Sequence, residues 1–272
     1  MPAWLRTGIA AVALLAVAHP ARAQTYPALH PIPKTTDAAE LRRAALDREV
    51  SERFRLGIAA LARGDWHAAA AEFTRIVTID PREPKGSTAR YDLGIAQANL
   101  NDDVAAAKSF AAAIALDPGF LAARANLVVV QMRAGDVAAA RGSADALIAR
   151  APLSARARYV RGLVALRAGD AATAKEDFGA LLERDPKYAT ARYDLALAEL
   201  DLGRTADAER ELRSALELAP TYSRARFALG TVLLRSGHRD EARAAFDDVA
   251  RTSQDLTLRN LASSMREAIG PR

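Results

Sequence analysis

Residues 186–219 read PKYATARYDLALAELDLGRTADAERELRSALELA, and residues 220–253 read PTYSRARFALGTVLLRSGHRDEARAAFDDVARTS. Aligned, the two segments share one plan: proline, an alanine-rich apolar stretch, a glycine break, a second apolar stretch, and a stop. Pro118, Pro152, Pro186 and Pro220 are each 34 residues apart, and the next step lands on Gln254, in register without the proline. The step before, Pro81 to Pro118, is 37 residues and holds a three-residue insertion. A 34-residue period is the mark of a helix-turn-helix solenoid, so the chain is read as one elongated all-α array that offers surface to partners.

Six repeats are expected over residues 50–254, beginning at Val50, Ser87, Leu121, Ala155, Ala189 and Ser223. Gly64, Gly135, Gly169, Gly203 and Gly237 mark the inner turns, where a left-handed residue ends a helix. Asn101 stands at that place in the second repeat and tolerates the same geometry. The prolines end the second helices, because the residue before proline is pushed out of the helical region. Alanine supplies much of the apolar content; it favours helix and lets helices pack closely.

The two ends read differently. Arg6, the apolar run GIAAVALLAVA (Gly8 to Ala18) and Ala21-Arg22-Ala23 form the three regions of a cleaved signal peptide over residues 1–23. The run is shorter than the roughly 20 residues a membrane span needs, so no integral span is expected. Residues 24–36 (QTYPALHPIPKTT) read as a flexible linker. Thr36 and Asp37 cap an N-terminal helix over 37–49, and residues 255–270 form a C-terminal capping helix. The expected location is periplasmic, soluble after cleavage. Loss of Arg6 and Arg22 lowers the formal charge from +5 to +3, a mild excess. Export argues against a nucleic-acid partner. The chain has no cysteine, hence no disulfide and no lipid-modified terminal cysteine.

The repeat unit resembles the tetratricopeptide family. The small residue that lets the two helices touch is Gly57, Gly94, Gly162 and Gly230, with Val128 and Ala196 in the third and fifth repeats. Twelve residues on stands Ala69, Ala106, Ala140, Ala174, Ala208 or Ala242; four further on stands Phe73, Phe110, Phe178, Leu212 or Phe246, with Ala144 as the exception. The family's tryptophan position is arginine in every repeat: Arg53, Arg90, Arg124, Arg158, Arg192 and Arg226. Their stems are expected to lie along alanine-rich neighbours while second-helix carboxylates meet their charges.

The resemblance implies a right-handed superhelical solenoid whose first helices line a concave groove. One position of that face carries Phe54, Tyr91, Ala125, Tyr159, Tyr193 and Phe227. Aromatics at this place also pack between repeats in the family; the ladder as a whole is read as the floor of a peptide groove. Asn99, Arg133, Arg167, Asp201 and Arg235 form its rim, mainly basic. Aromatic residues take the lead position of the family's terminal-carboxylate clamp, so that clamp is not expected.

No catalytic, metal or cofactor site is expected. His67 and His238 open second helices of distant repeats, without a second ligand at metal spacing. Phosphate-loop, nucleophile-elbow and dinucleotide patterns are absent. The expected function is a non-enzymatic periplasmic scaffold or adaptor. Its groove would bind a protein or peptide partner in envelope assembly, secretion or maturation machinery. A binder of anionic envelope polysaccharide and an accessory subunit of an envelope enzyme are the alternatives.

Overall fold

The computed structural model of the chain describes residues 37–79 and 85–270. The expected signal peptide, the linker and the stop at Pro81 lie outside the described residues. Among those described there are thirteen α-helices and no strand. They are α1 (Ala38–Arg63), α2 (Trp66–Ile79), α3 (Lys85–Asn99), α4 (Asp103–Leu116), α5 (Leu121–Arg133), α6 (Val137–Arg150), α7 (Ala155–Ala168), α8 (Ala171–Arg184), α9 (Ala189–Asp201), α10 (Thr205–Leu218), α11 (Ser223–Arg235), α12 (Arg239–Thr252) and α13 (Leu256–Ile269). This is an all-α helical-repeat fold of the solenoid type. The helices fall into two compact units, one ending at Pro152 and the other starting at Leu153. Within each unit every helix packs on the next in the chain.

The turns follow the local chemistry. Gly64 ends α1 with φ 72°, and its amide donates to the carbonyls of Ala60 and Leu61. Asn101 is the one positive-φ residue other than glycine among those described, at φ 63°. Asp102, Asp136 and Asp170 cap α4, α6 and α8 by accepting from the amides of Ala105, Ala139 and Thr173. The helix expected over 37–49 and the first helix of the first repeat are one element, α1, of 26 residues. Nothing between Ala38 and Arg63 breaks a helix: glycine occurs there only at Gly57, which is packed, and proline does not occur.

Within a repeat, the second-helix phenylalanine seats its ring on the first-helix glycine. A Cβ built on Gly162 would lie 2.7 Å from Phe178 Cε1, and one on Gly94 would lie 2.7 Å from Phe110. Phe73, Phe110, Phe178 and Phe246 are all fully buried. Each such ring contributes about 1.5–3 kcal/mol by its burial. The third repeat reverses the sizes: Val128 stands where glycine would and Ala144 where phenylalanine would, both fully buried. The fifth does the same more mildly with Ala196 and Leu212. The departures from the repeat pattern are thus complementary, which keeps the volume between the helices filled.

The arginine row staples four of the six repeats. Arg53 reaches Glu72 on α2 at 2.9 Å, Arg192 reaches Glu211 on α10 at 2.8 Å, and Arg226 pairs with Asp248 on α12. The same side chains donate backwards to the preceding turn, Arg192 to the Pro186 carbonyl at 3.0 Å and Arg226 to that of Pro220 at 2.6 Å. In the fourth repeat Asp177, fully buried, takes Arg158 at 3.4 Å and both prongs of Arg161 at 2.7 and 2.8 Å. In these four repeats a second-helix carboxylate meets the charge as expected; in the second and third repeats none does, and Arg90 and Arg124 donate only to the carbonyls of Gly86 and Pro118.

At the far end, α13 covers α12 and turns Asn260, Ser264 and Glu267 outward. Arg239 and Arg243 of α12 donate to the carbonyls of Ile269 and Gly270 at the end of α13, where the helix dipole favours cations.

Gly162→Ala is expected to cost about 1–3 kcal/mol, since the Phe178 ring cannot retreat. Gly142→Ala, in α6 with nothing within 4 Å of its Cβ, is expected to add up to about 1 kcal/mol. Urea denaturation of the two variants beside the parent checks the contrast; equal midpoints would refute the seat.

Candidate partner-binding site

The five aromatic residues of the expected groove floor are core residues in this structure. Phe54, Tyr91, Tyr159, Tyr193 and Phe227 are each at most 9% exposed. Phe54 meets Phe73 edge-on at 5.8 Å, Tyr91 meets Phe110 at 5.7 Å, Tyr159 meets Phe178 at 5.9 Å, and Phe227 meets Phe246 at 5.1 Å. The reason lies in the glycine seat: it brings the second-helix ring close enough to touch the aromatic one helical turn before the glycine. These side chains present little area to a partner as they stand.

The rim divides in two. Asn99 bonds back to its own helix, to the Ile95 carbonyl at 2.8 Å. Arg133 clasps the turn between α3 and α4, reaching Asp103 at 2.8 Å and the Ala98 carbonyl at 2.8 Å. Arg167 and Arg235, at the ends of α7 and α11, make no hydrogen bond or ion pair among the described residues; Arg235 is exposed and Arg167 half-buried.

A second aromatic row, not singled out from the sequence, covers the first. Phe120, Tyr188 and Tyr222 are N-cap residues of α5, α9 and α11 and are half-buried. Each lies on a first-row ring of the repeat before it: Phe120 on Tyr91 at 4.7 Å, Tyr188 stacked on Tyr159 at 5.3 Å, Tyr222 on Tyr193 at 5.2 Å. The signal for it was the period itself, since Tyr188 and Tyr222 are 34 residues apart and Phe120 is two periods before Tyr188.

Polar residues are buried on the same register. Asp92, Asn126 and Asp194 occupy one repeat position, and all are nearly sealed from solvent. In the first unit Asn126 donates to the Tyr91 hydroxyl at 3.4 Å. In the second unit the Tyr159 hydroxyl donates to Asp194 Oδ2 at 2.9 Å. Four tyrosines, Tyr159, Tyr188, Tyr193 and Tyr222, feel the Asp194 charge, and burial is the largest cause that raises the pKa of each. The Arg156 charge acts on Tyr188, and that of Arg224 on Tyr193, Tyr222 and Asp194. This cluster, open to solvent through Tyr188 and Tyr222, is the candidate site. Among the described residues no group of His, Cys, Asp or Glu could hold a metal ion, and no helix is long and apolar enough to cross a membrane.

Family models described as tetratricopeptide repeat match residues 34–84, 54–119, 126–189 and 159–223, and a second one matches 199–263. No curated protein matches the chain. Among solved structures, a tetratricopeptide repeat protein from Parabacteroides merdae superimposes with TM-score 0.72 at 18% identity, over 81% of this chain and 86% of that one. PilW, described as a widely conserved type IV pilus biogenesis factor, gives TM-score 0.67 at 16% identity, over 78% and 97%. YrrB, described as a TPR protein with an unusual peptide-binding site, gives 0.55 at 16% identity, over 72% and 100%. At these identities the likeness speaks to fold alone.

The buried acids make stability depend on pH. Burial pushes the Asp92 carboxyl up to about 8, and Asp194 up to about 7 against the opposing pull of the Tyr159 hydroxyl and Arg224. The folded state therefore keeps a proton that the unfolded chain gives up near its ordinary value of 3.8. Stability falls as pH climbs from about 4 toward 8, by at most about 1.4 kcal/mol per pH unit per group, then levels off. Asp92→Asn is expected to raise the urea midpoint clearly at about pH 8.5 and little at about pH 5. The same gain at both pH values would contradict a neutral Asp92 in the fold.

Proposed function

Because the chain belongs to the tetratricopeptide repeat family, whose fold is that of a protein-interaction scaffold and whose repeats are generally non-catalytic, we propose that it is an exported adaptor. Its partner, a protein or peptide, binds on the first-helix face of the second unit. The observation that carries this reading is the surface of that face: half-buried Tyr188 and Tyr222 at the N-terminal ends of its helices, and at the C-terminal ends Arg167 and Arg235, which lack partners among the described residues. The second-helix surface differs, because its charges are largely spent on one another. Arg213 pairs with Glu209 and Glu241, and Arg251 with Asp247 and Asp248. Aromatic and arginine side chains are the residue types that anchor protein partners.

The exported, envelope setting rests on the signal-like pattern of residues 1–23. A peptide-binding site in YrrB and a role in pilus biogenesis for PilW are in keeping with a scaffold of this kind. The uncompensated Arg167 and Arg235 favour one second reading, an anionic envelope polymer. Binding to such a polymer would fall steeply with salt, while binding anchored on tyrosines would not.

A photocrosslinker at position 188 or 222 is expected to capture a discrete protein in the cell, and the same probe at the exposed position 176 on α8 is not. Mass spectrometry identifies the adduct. A polymer smear from both faces, or no face-specific adduct, would reject the adaptor reading.

A further inference from the structure

The outer face of the second helices changes character between the two units. Positions 104, 108, 111 and 115 of α4 are exposed, as are 138, 142, 145 and 149 one period on in α6, yet they carry only two charges, Lys108 and Asp145. The same places in α10 and α12 carry six: Arg210, Arg213, Glu217, Asp240, Asp247 and Arg251. In addition, α4 is close to apolar on every side. Ala106, Phe110 and Ala113 face the core, while Val104 and Leu116 are 63% and 43% exposed. A helix apolar all round is normally covered.

The two charges have no counter-charge at home. Lys108 and Asp145 make no hydrogen bond or ion pair among the described residues, although α4 and α6 both pack on α5. Their charged neighbours are engaged: Asp102 caps α4 through the Ala105 amide, Asp103 holds Arg133 at 2.8 Å, and Arg141, on the flank of α6, has an interaction of its own. Gly142 has nothing within 4 Å of a Cβ built on it, so no contact inside the protomer calls for a residue that weakens its helix.

The four positions are spaced by four, three and four residues, a series that reads the same from either end. Laid antiparallel, α4 and α6 therefore match place for place: Val104 against Ala149, Lys108 against Asp145, Ala111 against Gly142 and Ala115 against Ala138. The largest exposed side chain meets a small one, and charge meets opposite charge. Equivalent helices of a repeat array run the same way, so an antiparallel match requires a second copy turned about a two-fold axis.

We propose that this face joins two copies of the chain: α4 of one protomer lies antiparallel on α6 of its partner, and by symmetry α6 lies on the partner's α4. The axis makes every contact twice, including the pair between Lys108 and Asp145 of the partner subunit. Alanine and glycine in the seam let the helix axes come close, since the side chains at the contact set that distance. The seam is two 14-residue helices wide, each about 21 Å long, which is narrow for a permanent assembly. The dimer is therefore reversible. It does not depend on what the first-helix face binds.

Sedimentation velocity of the full chain from about 1 to about 100 µM is expected to show a monomer–dimer equilibrium, with a dissociation constant on the order of 10 µM. Lys108→Glu sets like charges together twice and is expected to weaken association at least about 10-fold, as is Asp145→Lys. The double variant carrying both changes is expected to return to within about 3-fold of the parent. Gly142→Leu, which enters open space in the protomer, is expected to abolish the dimer with helix content by circular dichroism unchanged. A chain still monomeric at about 100 µM, a dimer indifferent to Lys108→Glu, or a double variant no better than the single ones would each overturn the interface. None of these outcomes touches a protein captured from position 188.

Discussion

A phenylalanine ring resting on a glycine backbone sets the distance between the two helices of a repeat, and the rest of the structure follows from that distance. With no Cβ in the way, Phe178 lies against Gly162 and Phe110 against Gly94. The first-helix aromatic one turn earlier is then drawn onto the same ring, as Tyr159 is on Phe178. That aromatic in turn supports the N-cap residue of the next repeat, as Tyr159 supports Tyr188. One close approach thus propagates from the middle of a repeat to its junction with the next, in the nearest-neighbour fashion of repeat proteins.

The junctions are where the fold accepts cost. An aspartate or asparagine inside each unit sits at a position that an apolar residue fills elsewhere, for example Val160 or Ala228. Burying a carboxyl is expensive unless it is bonded or neutral. Asp194 is bonded by Tyr159 and also lies within reach of Arg224. Such residues make the interior sensitive to pH, and they place polar chemistry directly beneath the half-buried tyrosines of the first-helix face.

Charge is distributed by the same geometry. The arginine in place of the family's tryptophan is close enough to the second helix to find Glu72, Asp177 or Glu211, and close enough to the preceding turn to take a proline carbonyl. In the fifth and sixth repeats it ties three segments with one side chain. Second-helix surfaces are consequently rich in internal pairs, while the first-helix ends keep Arg167 and Arg235 in reserve.

The sequence by itself determined the repeat length, the helix boundaries from Leu121 onward, the left-handed turn residues and the glycine–phenylalanine pairing. All of these are local or one-period relations that a 34-residue spacing exposes directly. It also placed carboxylates opposite four of the six row arginines, while Arg90 and Arg124 found only backbone carbonyls. Only the tertiary structure decided what the aromatic ladder does. Whether Tyr193 faces a groove or a neighbouring ring depends on how closely successive repeats stack, and Tyr222, in the next turn, closes over it. Only the structure fused the N-terminal helix with the first repeat, since no breaker stands before Gly64. It alone separated Arg133, clasped to Asp103, from Arg167 and Arg235, which occupy the same position in the repeat. Pattern fixes which residues are equivalent; packing between units of the pattern fixes which of those equivalents remain accessible.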